Sequence, residues 1–297
     1  MDNSKRPLGV IGMVFGDYAM LQRWFDYYAA QVGAENLYLF SHGNDPQHHA
    51  IAKGAHVIGV PRDRDVIKFD ARRWRMMSHF ASGYLNYYNW MLVTDIDEIF
   101  AVDPEVSPSL VEYLESKFSD ISTAPTSISP LGLNIVHVPE EEPLPIVSDQ
   151  TILSRRRYFY PSRVYSKPTL VRAPVIFGPG GHRNNLGPRT LSDDLYLIHL
   201  KFCDFTDIVT RTQNKNGFMD DMVIGGAVDV DKVRREKTLA SYQELRNQFI
   251  LAEENIKLPE FREKMKKQRP KYVNNYIWGN AKSNKLYQIP SRFSSLV

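Results

Sequence analysis

The first hundred residues alternate between short apolar runs and segments of helical period, and few architectures accept that alternation. Residues 8–15 (LGVIGMVF) are continuously apolar between Pro7 and Gly16, as in a strand buried on both faces. Leu21, Trp24, Phe25, Tyr28 and Val32 then recur on one helical face, which Gly33 ends. Residues 36–40 (NLYLF) and 56–60 (HVIGV) read as a second and a third strand. A helix over about 71–84 places Trp74, Met77, Ala81 and Tyr84 together, and residues 90–94 (WMLVT) form a fourth strand. Strands joined through helices imply right-handed crossovers, hence an α/β fold with a mostly parallel central sheet flanked by helices. Such sheets bind ligands at the carboxyl ends of their strands. Acidic residues stand just beyond three of these ends: Asp17, Asp45 and the pair Asp95 and Asp97.

After Pro104 the pattern changes. A short helix (109–118) precedes a proline-rich stretch (125–145), and strand-like runs follow at 169–177 and 195–202 around the loop GPGGHRNNLGP. From Asp231 the chain reads as basic helices ending in an aromatic tail. The expected organisation is one domain over 1–297, with parts at 1–103, 104–230 and 231–297. The net charge is only +3, too weak to imply nucleic acid. It is unevenly placed, because residues 231–271 hold 12 Lys and Arg against 7 Asp and Glu. That basic end, including Arg262, Lys264, Lys266, Lys267, Arg269 and Lys271, reads as a solvated face or as a contact for anionic lipid or glycan. The single cysteine, Cys203, fits a reducing compartment. With neither a signal-like opening nor an apolar stretch of about 18 residues, a cytoplasmic location is expected, peripheral to a membrane if the basic helices touch one.

The segment after the fourth strand reads Thr94-Asp95-Ile96-Asp97-Glu98-Ile99-Phe100. Asp-x-Asp in extended chain puts both carboxylates on one side. They repel unless a cation or donors lie between them. Mg²⁺ and Mn²⁺ take oxygen ligands, commonly one or two carboxylates with substrate phosphates. The apolar strand before the motif and the Ile99–Phe100 pair after it favour a metal holding a diphosphate over a solvated acidic turn.

With these residues in place, the first hundred positions resemble the GT-A nucleotide-sugar glycosyltransferases, in particular the family 2-like group related to glycosyltransferase family 92. That group carries a strand, an Asn-Glu pair, a helix with Trp and Tyr-His, and a Gly before the second strand. Gly16-Asp17, Trp24, Tyr27-Tyr28 and Gly33 stand at those places here. The group's second strand ends in a small polar turn, here SHGNDP, and its Asp-x-Asp-Glu-Phe is here Asp95-Ile96-Asp97-Glu98-Ile99. The likeness covers about 8–103, thins over 165–215, and is absent beyond. It implies a GT-A (Rossmann-like) fold with a nucleotide-binding first part, an acceptor-side second part and a helical C-terminus. It implies that Gly16, Asp17 and Asp45 contact the nucleoside of a donor such as a UDP-sugar. Asp95 would face ribose and metal, and Asp97 would be the principal ligand of Mn²⁺ or Mg²⁺. Arg75, on the helix before the motif strand, is placed for base or phosphate, or else for a surface ion pair with Asp70 or Asp63.

The group often completes its metal shell with a later histidine. His199, inside an apolar run, and His182, behind glycines that let backbone approach a phosphate, are the candidates, with Lys201 and Arg183 as further diphosphate partners. An inverting transfer needs a general base, for which Asp194 and Asp221, each in an acidic pair, are candidates. The expected acceptor is a hydroxyl on a glycan or lipid-linked glycan, and nucleic acid is not an expected partner. The rival readings are a sugar nucleotidyltransferase on a similar fold and a non-catalytic nucleotide- or carbohydrate-binding protein. A triphosphate user would want a glycine-rich basic loop after the first strand, and FGDYAML there has one glycine and no Lys or Arg.

Overall fold

A computed structural model describes residues 1–62, 66–213, 230–252, 257–267, 269–272, 275–279 and 283–297. The N-terminal part runs β1 (Arg6–Val14), α1 (Tyr18–Val32), β2 (Leu37–His42), α2 (Pro46–Ile51), β3 (His56–Val60), α3 (Val66–Tyr84) and β4 (Tyr88–Asp95). These four strands are parallel in the order β3–β2–β1–β4. The order reverses between β1 and β4, so a crevice opens at their carboxyl ends.

Strand β1 shows why both faces must be covered. Leu8, Val10 and Val14 enter one core with Leu21, Trp24 and Tyr28 of α1. Ile11 and Met13 enter the other with Trp74, Met77 and Ala81 of α3. Gly12 has a packing reason, since a Cβ there would fall 2.8 Å from the Trp24 ring.

The chain continues through β5 (Glu98–Val102), α4 (Leu110–Lys117), β6 (Ser127–Val136), α5 (Ile152–Arg155), β7 (Tyr158–Pro161), β8 (Leu170–Val171) and β9 (Thr190–Phe202). It ends with α6 (Phe205–Gln213), α7 (Val230–Gln248), β10 (Ile250–Leu251), α8 (Leu258–Lys266), β11 (Arg269–Tyr272), β12 (Asn275–Ile277) and β13 (Lys285–Gln288). Beyond β4 the sheet is mixed. β8 pairs antiparallel with β4 and β6, β7 joins β6 and β13 antiparallel, and β9 lies parallel to β6 and antiparallel to β5. The whole is an α/β fold of Rossmann-like type, whose parallel half carries the crossovers expected from the sequence.

Two sequence expectations change here. The run at 169–177 yields only the two-residue β8, while the proline-rich stretch contains β6, ten buried residues including Pro130. The basic end is not uniformly solvated either. Arg262 is buried on α8 with its guanidinium 4.6 Å from the centre of the Tyr196 ring, and Lys266 pairs with Glu263 and Asp193. No described helix is long and apolar enough to cross a membrane.

Candidate functional site

The acidic motif sits at the crevice. β4 delivers Asp95, a short turn carries Ile96 and Asp97, and Glu98 opens β5. Helix α1 fixes this turn through aromatic polar atoms. Trp24 Nε1 donates to Thr94 Oγ1 at 2.9 Å, Tyr28 Oη donates to the Glu98 carbonyl and accepts from the Phe100 N–H, and Tyr27 Oη donates to the Phe100 carbonyl.

Strand register brings the remaining members in. Glu98 on β5 lies directly opposite His199 on β9, and His199 lies opposite Asn134 on β6. Direct cross-strand partners share one face of a sheet. His199 Nδ1 donates to Asn134 Oδ1 at 2.6 Å, and the ring stacks on Tyr165 at 3.7 Å between centroids. That hydrogen bond places a proton on Nδ1 and turns Nε2 toward Asp97 Oδ2 at 3.4 Å. A neutral imidazole nitrogen and a carboxylate oxygen are both electron-pair donors, so this approach needs a proton or a cation between them. Burial holds the His199 imidazolium below its ordinary range, although the Asp97 charge opposes it. Burial raises the Asp97 carboxyl, yet His199 outweighs that and keeps it low.

One donor atom each from Asp97, Glu98 and His199 lies within 4.8 Å of the others. Glu98 is fully buried, and its Oε1 has no hydrogen bond of good geometry. Burial, reinforced by Asp95 and Asp97, pushes the Glu98 carboxyl up to about 8 against the pull of Lys167. Two carboxylates and an imidazole are a donor set that fits Mn²⁺ or a similar divalent ion.

Asp95 has other commitments. One oxygen accepts from Arg73 of α3 and the other from Lys167 Nζ at 3.1 Å. Burial raises its carboxyl, but the two cations hold it well below the usual carboxylate range. The group of donor atoms that could hold an ion contains Glu98 where the sequence suggested Asp95. Lys167 is almost wholly buried, ion-pairs with Glu98 as well, and has its ammonium 5.5 Å from the centre of the Trp74 ring.

The helix arginine also changes. Arg75 is exposed on α3, and Arg73, two residues earlier, reaches the motif while also binding Asp70. The other expected residues divide by position. Gly16 and Asp17 follow β1 as consecutive left-handed residues with φ of 58° and 48°. Such a conformation is costly for a residue with a Cβ and clusters at functional turns. Asp45 caps α2 beyond β2, accepting from Gln47 N–H at 2.9 Å and from Tyr18 Oη at 2.7 Å. All three stand at the same carboxyl edge as the motif.

His182 approaches from the second half. Its Nδ1 lies 3.0 Å from the Val164 carbonyl, and its ring meets Tyr165 edge-on. Burial first and Lys167 second press its imidazolium down to about 4. Asp194 does not join the site. It lies five residues before His199, about 16 Å away at ~3.3 Å per strand residue. The antiparallel pairing with β5 carries it toward Val102, where it binds Tyr113 and Lys117. Asp221 lies outside the described residues.

Lys167, Arg73 and Asn134 were not singled out from the sequence. Lys167 and Asn134 sit in unpatterned or proline-rich context, and only the β6–β9 pairing reveals Asn134. Arg73 and Arg75 flank the buried Trp74 symmetrically, so helical period alone does not choose between them.

No known protein family matches the sequence, and no curated protein does. Among solved structures, the chain is similar to one described as CMP:2-keto-3-deoxy-manno-octonic acid synthetase complexed with CTP. Identity is 12%, coverage is 80% of this chain and 99% of that chain, and the TM-score is 0.27. At that level the likeness has no bearing on the chemistry of the site.

Proposed function

We propose that the chain is a metal-dependent glycosyltransferase of the GT-A type, moving a sugar from a nucleotide sugar, a UDP-sugar by preference, to a hydroxyl on a glycan or lipid-linked glycan. The observation that carries this reading is the meeting of His199 Nε2 with the Asp97 carboxylate beside buried Glu98, at the crevice between β1 and β4. Asp97, Glu98 and His199 would hold Mn²⁺ or Mg²⁺. When bound, that ion supplies positive charge to a diphosphate leaving group.

The chain's own residues do the rest. Arg73 and Lys167 pin Asp95, while Asp97 faces His199. Asn134 fixes the His199 tautomer. Gly16, Asp17 and Asp45 line the edge where the nucleoside would lie, and His182 stands near its phosphates. The acceptor oxygen would bond to the anomeric carbon as the bond from that carbon to the diphosphate breaks, and the hydroxyl proton would pass to a base. Asp221 keeps that assignment as a proposal, and Asp194 does not. The exposed Lys264 and Lys267 of the basic end remain for contact with an anionic membrane face.

The same crevice would serve nucleotidyl transfer, and the products separate the two readings. Sugar transfer releases a nucleoside diphosphate, whereas nucleotidyl transfer from a triphosphate releases pyrophosphate. Titration calorimetry of UDP with and without Mn²⁺ tests the site. UDP should bind at least tenfold tighter with the metal, by about 1.4 kcal/mol, and Asp97→Asn should abolish the difference while the melting point in apo form stays near wild type. Equal affinity with and without metal would remove the assignment.

A further inference from the structure

The amino ends of the parallel strands, opposite the crevice, carry a second cavity of about 500 Å³. It is lined by Arg6 of β1, Tyr38 of β2, His56 of β3, Tyr88 of β4, and Tyr84 and Tyr87 where α3 turns into β4. β4 spans the sheet between this edge and Asp95, a length of about 23 Å at ~3.3 Å per residue. The cavity therefore shares nothing with the acidic motif.

Its aromatic content is ordered. Tyr38 lies between His56, stacked at 4.9 Å and 12°, and Tyr84 at 4.1 Å. Tyr38 Oη and Tyr88 Oη hydrogen-bond at 2.9 Å, which locks the floor. Tyr87 differs, because its side chain is 70% exposed and stands apart from these rings. Tyr87 thereby presents an aromatic side chain to solvent at the rim of the cavity whose floor the other tyrosines form.

The polar groups of the rim select the ligand class. Arg6 pairs with Glu35 at 3.7 Å and donates to Asn36 Oδ1 at 2.8 Å. The lining charge sums to zero with neutral histidine, so an anionic ligand finds no surplus cation. Planar donors and acceptors on Arg6, Glu35 and Asn86 nevertheless remain within reach at an exposed rim. Flat rings flanked by planar polar groups suit a pyranose, whose C–H face packs on an aromatic and whose hydroxyls need paired donors and acceptors.

We infer that this cavity is a binding site for a neutral oligosaccharide, held on the Tyr87 ring at the edge opposite the crevice. The inference does not rest on the proposed metal chemistry. The test is titration calorimetry of the full chain with maltohexaose, cellohexaose, laminarihexaose and chitohexaose, with UMP as the anionic aromatic control. At least one hexasaccharide should bind, Tyr87→Ala should weaken it about tenfold or more, and Asp97→Asn should leave it unchanged. The exposed position of Tyr87 keeps its variant folded, which an unchanged melting point checks. Absence of binding by all four sugars, binding indifferent to Tyr87→Ala, or displacement of the sugar by UMP would each overturn the inference. Failure of UDP to bind with Mn²⁺ would leave it standing.

Discussion

At the scale of single residues, the site is a balance of buried charge. Asp95 is offset by Arg73 and Lys167, Asp97 faces His199, and Lys167 does most because it touches both Asp95 and Glu98. Removing one partner of a buried ion pair leaves the other uncompensated and costs about 3–5 kcal/mol. Lys167→Met should therefore lower the unfolding free energy by several kcal/mol, measured by urea denaturation, although methionine fills the same space. An unchanged midpoint would mean that Arg73 alone compensates Asp95. Little of this was legible in the sequence. Asp95 and Asp97 announced themselves by spacing after a strand, and His199 by an imidazole in an apolar run. Lys167 lies in Ser166-Lys167-Pro168-Thr169, where no period or motif marks it, because its partners come from elements distant in the chain.

At the scale of elements, the first half was legible because each segment repeats one period. β3 was expected over 56–60 and runs His56–Val60, and the helix expected from about 71 begins five residues earlier as α3 (Val66–Tyr84). β6 was hidden by Pro130, a residue that usually argues against a central strand, while β9, expected over 195–202, begins five residues earlier, at Thr190, because the charged Ser192-Asp193-Asp194 masks its start. The glycine loop before β9, which the sequence suggests as a close backbone approach to a phosphate, has a packing role. Gly181 has a φ of 67°, and a Cβ there would lie 2.3 Å from Trp74 Cη2. Because Trp74 lies beside the Lys167 ammonium, Gly181→Ala should both destabilise the fold by about 1–3 kcal/mol and disturb the motif. A lower melting point together with weaker metal-dependent UDP binding is the expected pair of readouts.

At the scale of the whole molecule, the last residues are tied to the first half. Arg292 Nε and one terminal nitrogen each donate at 2.8 Å to the two oxygens of Asp103, just beyond β5. Burial raises the Asp103 carboxyl, but Arg292 and the Glu105 N–H outweigh it and keep it below its ordinary value. A carboxyl lowered by folding contributes stability above its unfolded value, near 3.8, and loses it as the pH falls through the folded one. Asp103→Asn should thus melt a few degrees below wild type at pH 7, at about 2–4 °C per kcal/mol. The gap should close as the pH is taken below the ordinary carboxylate range, and a gap that persisted there would assign the effect to packing. The partnership of Glu98 with His199 has a consequence of a different kind. The two residues are about a hundred positions apart, and they meet only when β9 has docked between β5 and β6. A ribosome releasing the chain from its N-terminus exposes the carboxylates long before the imidazole exists. The proposed cation site therefore cannot form until β9 has emerged and docked, and a truncated product that keeps the whole parallel half would lack its imidazole.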